Sequence, residues 1–150
     1  MKNPRTAVFK LLAASCLLFA AIGARGAEPL ALQKVMKDLE RHMQTITDGI
    51  ARGDWDLVEK TAPMIADHPK PPFAEKRRIL SFVGTRLGKF KAYDGETHKQ
   101  AQAVGKAAKA KDGPGVTLAF QHLQASCNNC HSEFREPFVA HFYGKKAAVH

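Results

Sequence analysis

Residues 113–137 read GPGVTLAFQHLQASCNNCHSEFREP. Val116, Phe120, Leu123, Cys127, Cys130 and Phe134 recur at spacings of four, three, four, three and four, which is the pattern of a helix with one buried stripe. Both cysteines ride on that stripe. Gly113-Pro114-Gly115 separates the helix from what precedes it, and Pro137 predicts an end near Arg135.

Working backwards, residues 31–52 place Leu32, Met36, Leu39, Met43, Ile46 and Ile50 at the same alternation of four and three, so a first amphipathic helix is expected there. Gly53 ends it. Asp54 caps a shorter second helix through Trp55, Val58, Ala62 and Ile65, bent by Pro63 and stopped before the HPKPP stretch that begins at His68. Residues 73–93 are less regular, with Gly84 and Gly88 interrupting the apolar positions, and predict a packed loop with a helical turn or two. Asp94 opens a third helix, Ala-rich over residues 96–111. With no strand alternation and no internal repeat, the expected fold is all-α, an antiparallel four-helix bundle.

The N-terminus has a different character. Lys2, Arg5 and Lys10 precede an apolar run shorter than the roughly 20 residues of a membrane span, with small residues Ala24 and Gly26 before Ala27. This order predicts a signal peptide over residues 1–26, cleaved on export to the periplasm, and a single domain over residues 27–150. Cys16 follows Ala13, Ala14 and Ser15, but the residues after it stay apolar, which disfavours lipidation. Cleavage leaves 19 basic against 14 acidic residues, a net charge of +5. Neither that charge nor the placement of aromatic residues points to nucleic acid, and no stable membrane insertion is expected.

Once Cys16 is removed, only Cys127 and Cys130 remain, too few for the disulfide framework of a small secreted domain. Cys127-Asn128-Asn129-Cys130-His131 matches C-x-x-C-H, the pattern of c-type haem attachment. Positions i, i+3 and i+4 share one helix face, so both thiols can reach the vinyl groups of one porphyrin while His131 meets its iron. A zinc site would need four ligands and finds only His141 nearby as a fourth, and a thioredoxin-type dithiol expects a βαβ context absent here. A structural disulfide explains neither His131 nor the stripe.

The CNNCHSEFR run and the first-helix run LQKVMKDLERHMQTI from Leu32 resemble the class II c-type cytochromes, the cytochrome c prime group and its low-spin relatives. The resemblance covers residues 27–150 and implies one haem c per chain, held by Cys127 and Cys130, with His131 as the proximal iron ligand. It implies that Arg135 pairs with a haem propionate. Relatives usually carry Arg-Gln where this chain has Leu32-Gln33, so a second propionate arginine is absent. It also implies a homodimer through the first helices, although Lys34, Lys37, Glu40 and Arg41 offer no clear apolar patch there.

Met36 is the expected sixth ligand. It falls near the start of the first helix, beside the expected end of the fourth in an up-down bundle, whereas Met43 lies seven residues further on, about 10 Å at 1.5 Å per residue. Low-spin relatives carry methionine at this position and five-coordinate members a non-ligating residue. A methionine that merely fills the core is the competing reading. His42, His68, His98 and His122 are read as surface or core polar residues, with His98 and His122 away from the haem end.

No nucleophile has an evident base and orienter, no distal acid–base group suggests a peroxidase, and no Gly-rich loop cradles phosphate, so no enzyme is expected. The predicted function is electron transfer, with iron cycling between ferric and ferrous states and transient docking to periplasmic redox proteins. The alternative is a five-coordinate binder of nitric oxide or carbon monoxide. The basic residues between Lys76 and Lys91 are read as a solvated loop more readily than as a docking patch.

Overall fold

The computed structural model describes residues 29–144; the segment expected to be a signal peptide, residues 1–26, and Cys16 within it lie outside the described residues. Among the described residues, five α-helices follow one another: α1 (Ala31–Arg52), α2 (Trp55–Ala66), α3 (Phe73–Val83), α4 (Leu87–Lys109) and α5 (Gly113–Tyr143), with a 3-10 turn at Gly84–Arg86 between α3 and α4. There is no strand among the described residues. α1, α2, α4 and α5 make the four-helix bundle, and α3 is an additional short helix.

The start and stop signals in the sequence operate as chemistry requires. Gly53 takes the left-handed conformation, φ +66°, that closes α1 and lets its N–H reach the last-turn carbonyls. Asp54 accepts the Leu57 N–H at 3.0 Å, satisfying a donor that the first turn of α2 leaves unpaired. Asp112 does the same for Gly115 at the start of α5.

α4 is the central element. It packs along α2 on one side and α5 on the other, whereas α1 lies chiefly on α2 and meets α5 only sparsely. The main core joins Ile46 of α1, Val58 and Ile65 of α2, Val104 of α4, and Val116 and Leu123 of α5, all essentially inaccessible to water. A second, smaller cluster forms from Ile79 and Val83 of α3 with Phe134 of α5.

Three expectations are corrected. Residues 73–93 are not a loop: they form α3, the 3-10 turn and the start of α4. Ile79 and Val83 gain a partner in Phe134, and Gly84 with φ +55° absorbs the change of direction between the helices. The third bundle helix therefore starts at Leu87 and not at Asp94. The last helix does not end near Arg135 but runs through Pro137 to Tyr143. Pro137 removes one helical hydrogen bond, but the turns beyond it are held by packing and by a long-range contact. Phe138 stacks edge-on against Phe82, and the Tyr143 hydroxyl accepts the Leu30 N–H at 2.9 Å.

α3 in turn anchors the start of α1. The Glu75 carboxylate accepts the N–H groups of Ala31 at 2.7 Å and Leu32 at 2.8 Å, supplying from across the chain the cap that Leu30 cannot provide.

Candidate haem-attachment site

Cys127, Cys130 and His131 stand on one continuous helix, α5, so their spacing is set by helix geometry alone. Both cysteines are free and half-buried. Cys127 packs against the main core and Cys130 against the second cluster, so the motif bridges the two. Burial pushes the Cys127 thiol up, and burial first, then the charges of Asp94 and Glu133, push Cys130 up to about 11. Both thiols stay protonated at neutral pH.

His131 lies at the surface of α5 beside them. Partial desolvation by its neighbours, then the nearby Arg135 guanidinium, lower its affinity for a proton. A neutral imidazole is the form that ligates iron. Arg135 itself is exposed one turn further along the same helix.

On α1 the same division recurs. Leu32 packs on the second cluster, and Leu39 and Met43 pack on the main one. Met36 falls between them and is 39% exposed, while Val35, not singled out by the spacing, is buried. The expected stripe is thus right in direction but shifted at one turn. Leu32, Leu39 and Met43 are only half-covered, matching the sparse contact between α1 and α5. Two free thiols one turn apart, an adjacent neutral imidazole and a thinly covered apolar α1–α5 boundary fit a flat, covalently held porphyrin.

Residues 30–135 match the family model described as Cytochrome C′, a stretch that begins just before α1 and takes in Met36, the CNNCH run and Arg135. The chain belongs to the cytochrome c′ family. No match was found among curated proteins or among solved structures. Membership makes this cytochrome c′ chain a haem c cytochrome, with iron as its metal. Family members are typically periplasmic, and no helix among the described residues is long and apolar enough to cross a membrane.

Other residues around the cytochrome c′ motif were not visible in the sequence. Arg86, from the 3-10 turn, lies 4.8 Å from the centre of the Phe134 ring and 5.8 Å from that of Phe82, roofing the second cluster with a cation. Glu133 pairs with Lys89 at 2.5 Å and accepts from the Tyr93 hydroxyl at 3.2 Å, tying α5 to α4 two residues past His131. One placement is corrected: His98 is not remote from the motif. Its neighbour Thr97 hydrogen-bonds Ser126 at 3.0 Å, beside Cys127, so this part of α4 runs alongside the attachment residues. Only the fold brings these groups together, and no local spacing announces them. His122 is exposed on α5, and His42 is half-buried on α1.

Proposed function

We propose that this chain is a periplasmic mono-haem electron carrier, exported by a signal peptide cleaved before Ala27 and not itself an enzyme. Cys127 and Cys130 would form the two thioether bonds, His131 would serve as proximal and Met36 as distal iron ligand, and Arg135 would pair with a propionate. The observation that carries this reading is the CNNCH run on one uninterrupted helix, with its two thiols half-buried between the two apolar clusters.

When bound, haem supplies a one-electron ferric/ferrous couple. The protein's part is positional and electrostatic. Two covalent bonds from α5 fix the orientation and prevent loss to the surrounding fluid. His131, whose affinity for a proton is lowered by burial and Arg135, would offer a neutral ring nitrogen to the iron, and the Met36 thioether would supply a soft, uncharged ligand of the kind that raises the potential. Exposed Lys76, Arg77, Arg78 and Lys91 give α3 and the start of α4 a positive surface suited to brief encounters with an acidic redox partner.

Denaturing the purified exported protein and extracting it with acidified organic solvent tests attachment. Haem is expected to stay with the wild-type chain and to be lost from the doubly substituted Cys127→Ala, Cys130→Ala protein. Complete extraction from the wild type refutes the assignment. Rapid binding of carbon monoxide by the intact ferrous protein selects the five-coordinate gas binder over the carrier.

A further inference from the structure

His68 stands in the proline-rich segment after α2, and Asp94 and His98 stand one turn apart on α4. One donor atom from each lies within 4.8 Å of the other two, and no other such trio occurs among the described residues. His68 Nε2 is 3.5 Å from Asp94 Oδ1, and His98 Nε2 is 3.6 Å from Asp94 Oδ2. These distances are long for hydrogen bonds. They are close to the roughly 3.3 Å between neighbouring donors around a tetrahedral zinc ion with bonds of about 2.0–2.1 Å.

The surroundings have the other features of a metal site. His68 Nδ1 lies 3.2 Å from the Pro69 carbonyl oxygen; donating its proton there leaves Nε2 as a free lone pair turned toward Asp94. A second-nitrogen hydrogen bond of this kind orients metal-bound imidazoles. The two rings lie 4.9 Å apart, tilted by 45°, and converge on one carboxylate. The His68 side chain is only 12% exposed, and Pro69, Pro71 and Pro72 stiffen the segment that carries it. Asp94 is 54% exposed, which leaves an entry path and room for a water ligand.

We propose that His68, Asp94 and His98 bind a divalent transition-metal ion, zinc in the first instance, at a site separate from the cysteines. Two imidazoles and a carboxylate suit zinc, and nickel or copper compete by the usual order of affinities. The ion joins the proline-rich segment to α4 and so clamps the end of α2 to the bundle.

The test is calorimetric titration of the chelator-treated, haem-loaded exported protein with zinc slightly above neutral pH. One zinc per chain is expected, with affinity falling at least about tenfold in His68→Gln and in His98→Gln but unchanged in His122→Gln. Absence of binding, or binding retained by both His68→Gln and His98→Gln, overturns the proposal. X-ray absorption of the zinc-loaded wild type tests it without substitution: a nitrogen and oxygen shell supports it, and a sulfur-containing shell refutes it.

Discussion

Asp94 shows how one carboxylate reaches several groups. It pairs with His68 and His98, and its charge adds to the burial that holds the Cys130 thiol protonated. With no ion between them, the Asp94 pairing raises His68 above the ordinary imidazole range against the opposing effect of burial, and His68 holds Asp94 below the carboxylate range. A raised histidine stabilises the fold fully below its unfolded value, near 6.5, and loses that contribution as pH rises through the folded value. A lowered aspartate contributes above its unfolded value, near 4, and loses it as pH falls. Both contributions overlap in mildly acidic solution. Asp94→Asn should therefore lower the melting temperature most there and least at alkaline pH. The effect is modest, on the order of 1 kcal/mol or less, because the pair is partly exposed and screened by solvent. An equal loss at every pH would contradict this account. At this scale, legibility depended on distance along the chain: CNNCH is local and was readable, whereas His68, Asp94 and His98 come together only through folding.

Among the elements, Gly49 fixes how closely α1 approaches α2. A Cβ at that position would meet Val58 Cγ2 at 2.7 Å, and Val58 is fully buried in the core. Alanine gains about 1 kcal/mol of helix propensity over glycine, but overpacking typically costs about 1–3 kcal/mol. Because Val58 has no space to retreat into, the clash should win. Denaturant unfolding of Gly49→Ala is expected to show a net loss of about 1 kcal/mol, and a gain would mean that α1 can slide on α2. The bounds of α1 and the cap of α2 were legible because they are signalled locally, by Gly53 and by Asp54. α3 and the last turns of α5 were not. Their local signals, Gly84 and Pro137, oppose helix, and what overrides them is remote packing of Ile79, Val83 and Phe138 around Phe134. Met36 also departs from the simple stripe, for α1 turns Val35 inward at that level.

For the molecule as a whole, the division into two apolar clusters is the feature with functional consequence. The α1–α5 boundary is thinly packed, although α4 grips both of its other neighbours. A fully self-sufficient bundle would bury that boundary, since each exposed apolar side chain forgoes roughly 1.5–3 kcal/mol of burial. A haem attached through Cys127 and Cys130 would give the half-covered apolar side chains of this boundary, such as Leu32 and Leu39, a partner, and His131 and Met36 are the residues proposed to ligate its iron. In the proposed electron carrier this iron is six-coordinate and low-spin. Near-infrared and visible absorption of the ferric protein, compared with Met36→Ala, is the decisive measurement. A methionine-to-iron charge-transfer band is expected in the wild type and should vanish in the variant. A high-spin wild-type spectrum, unchanged by the substitution, would contradict it.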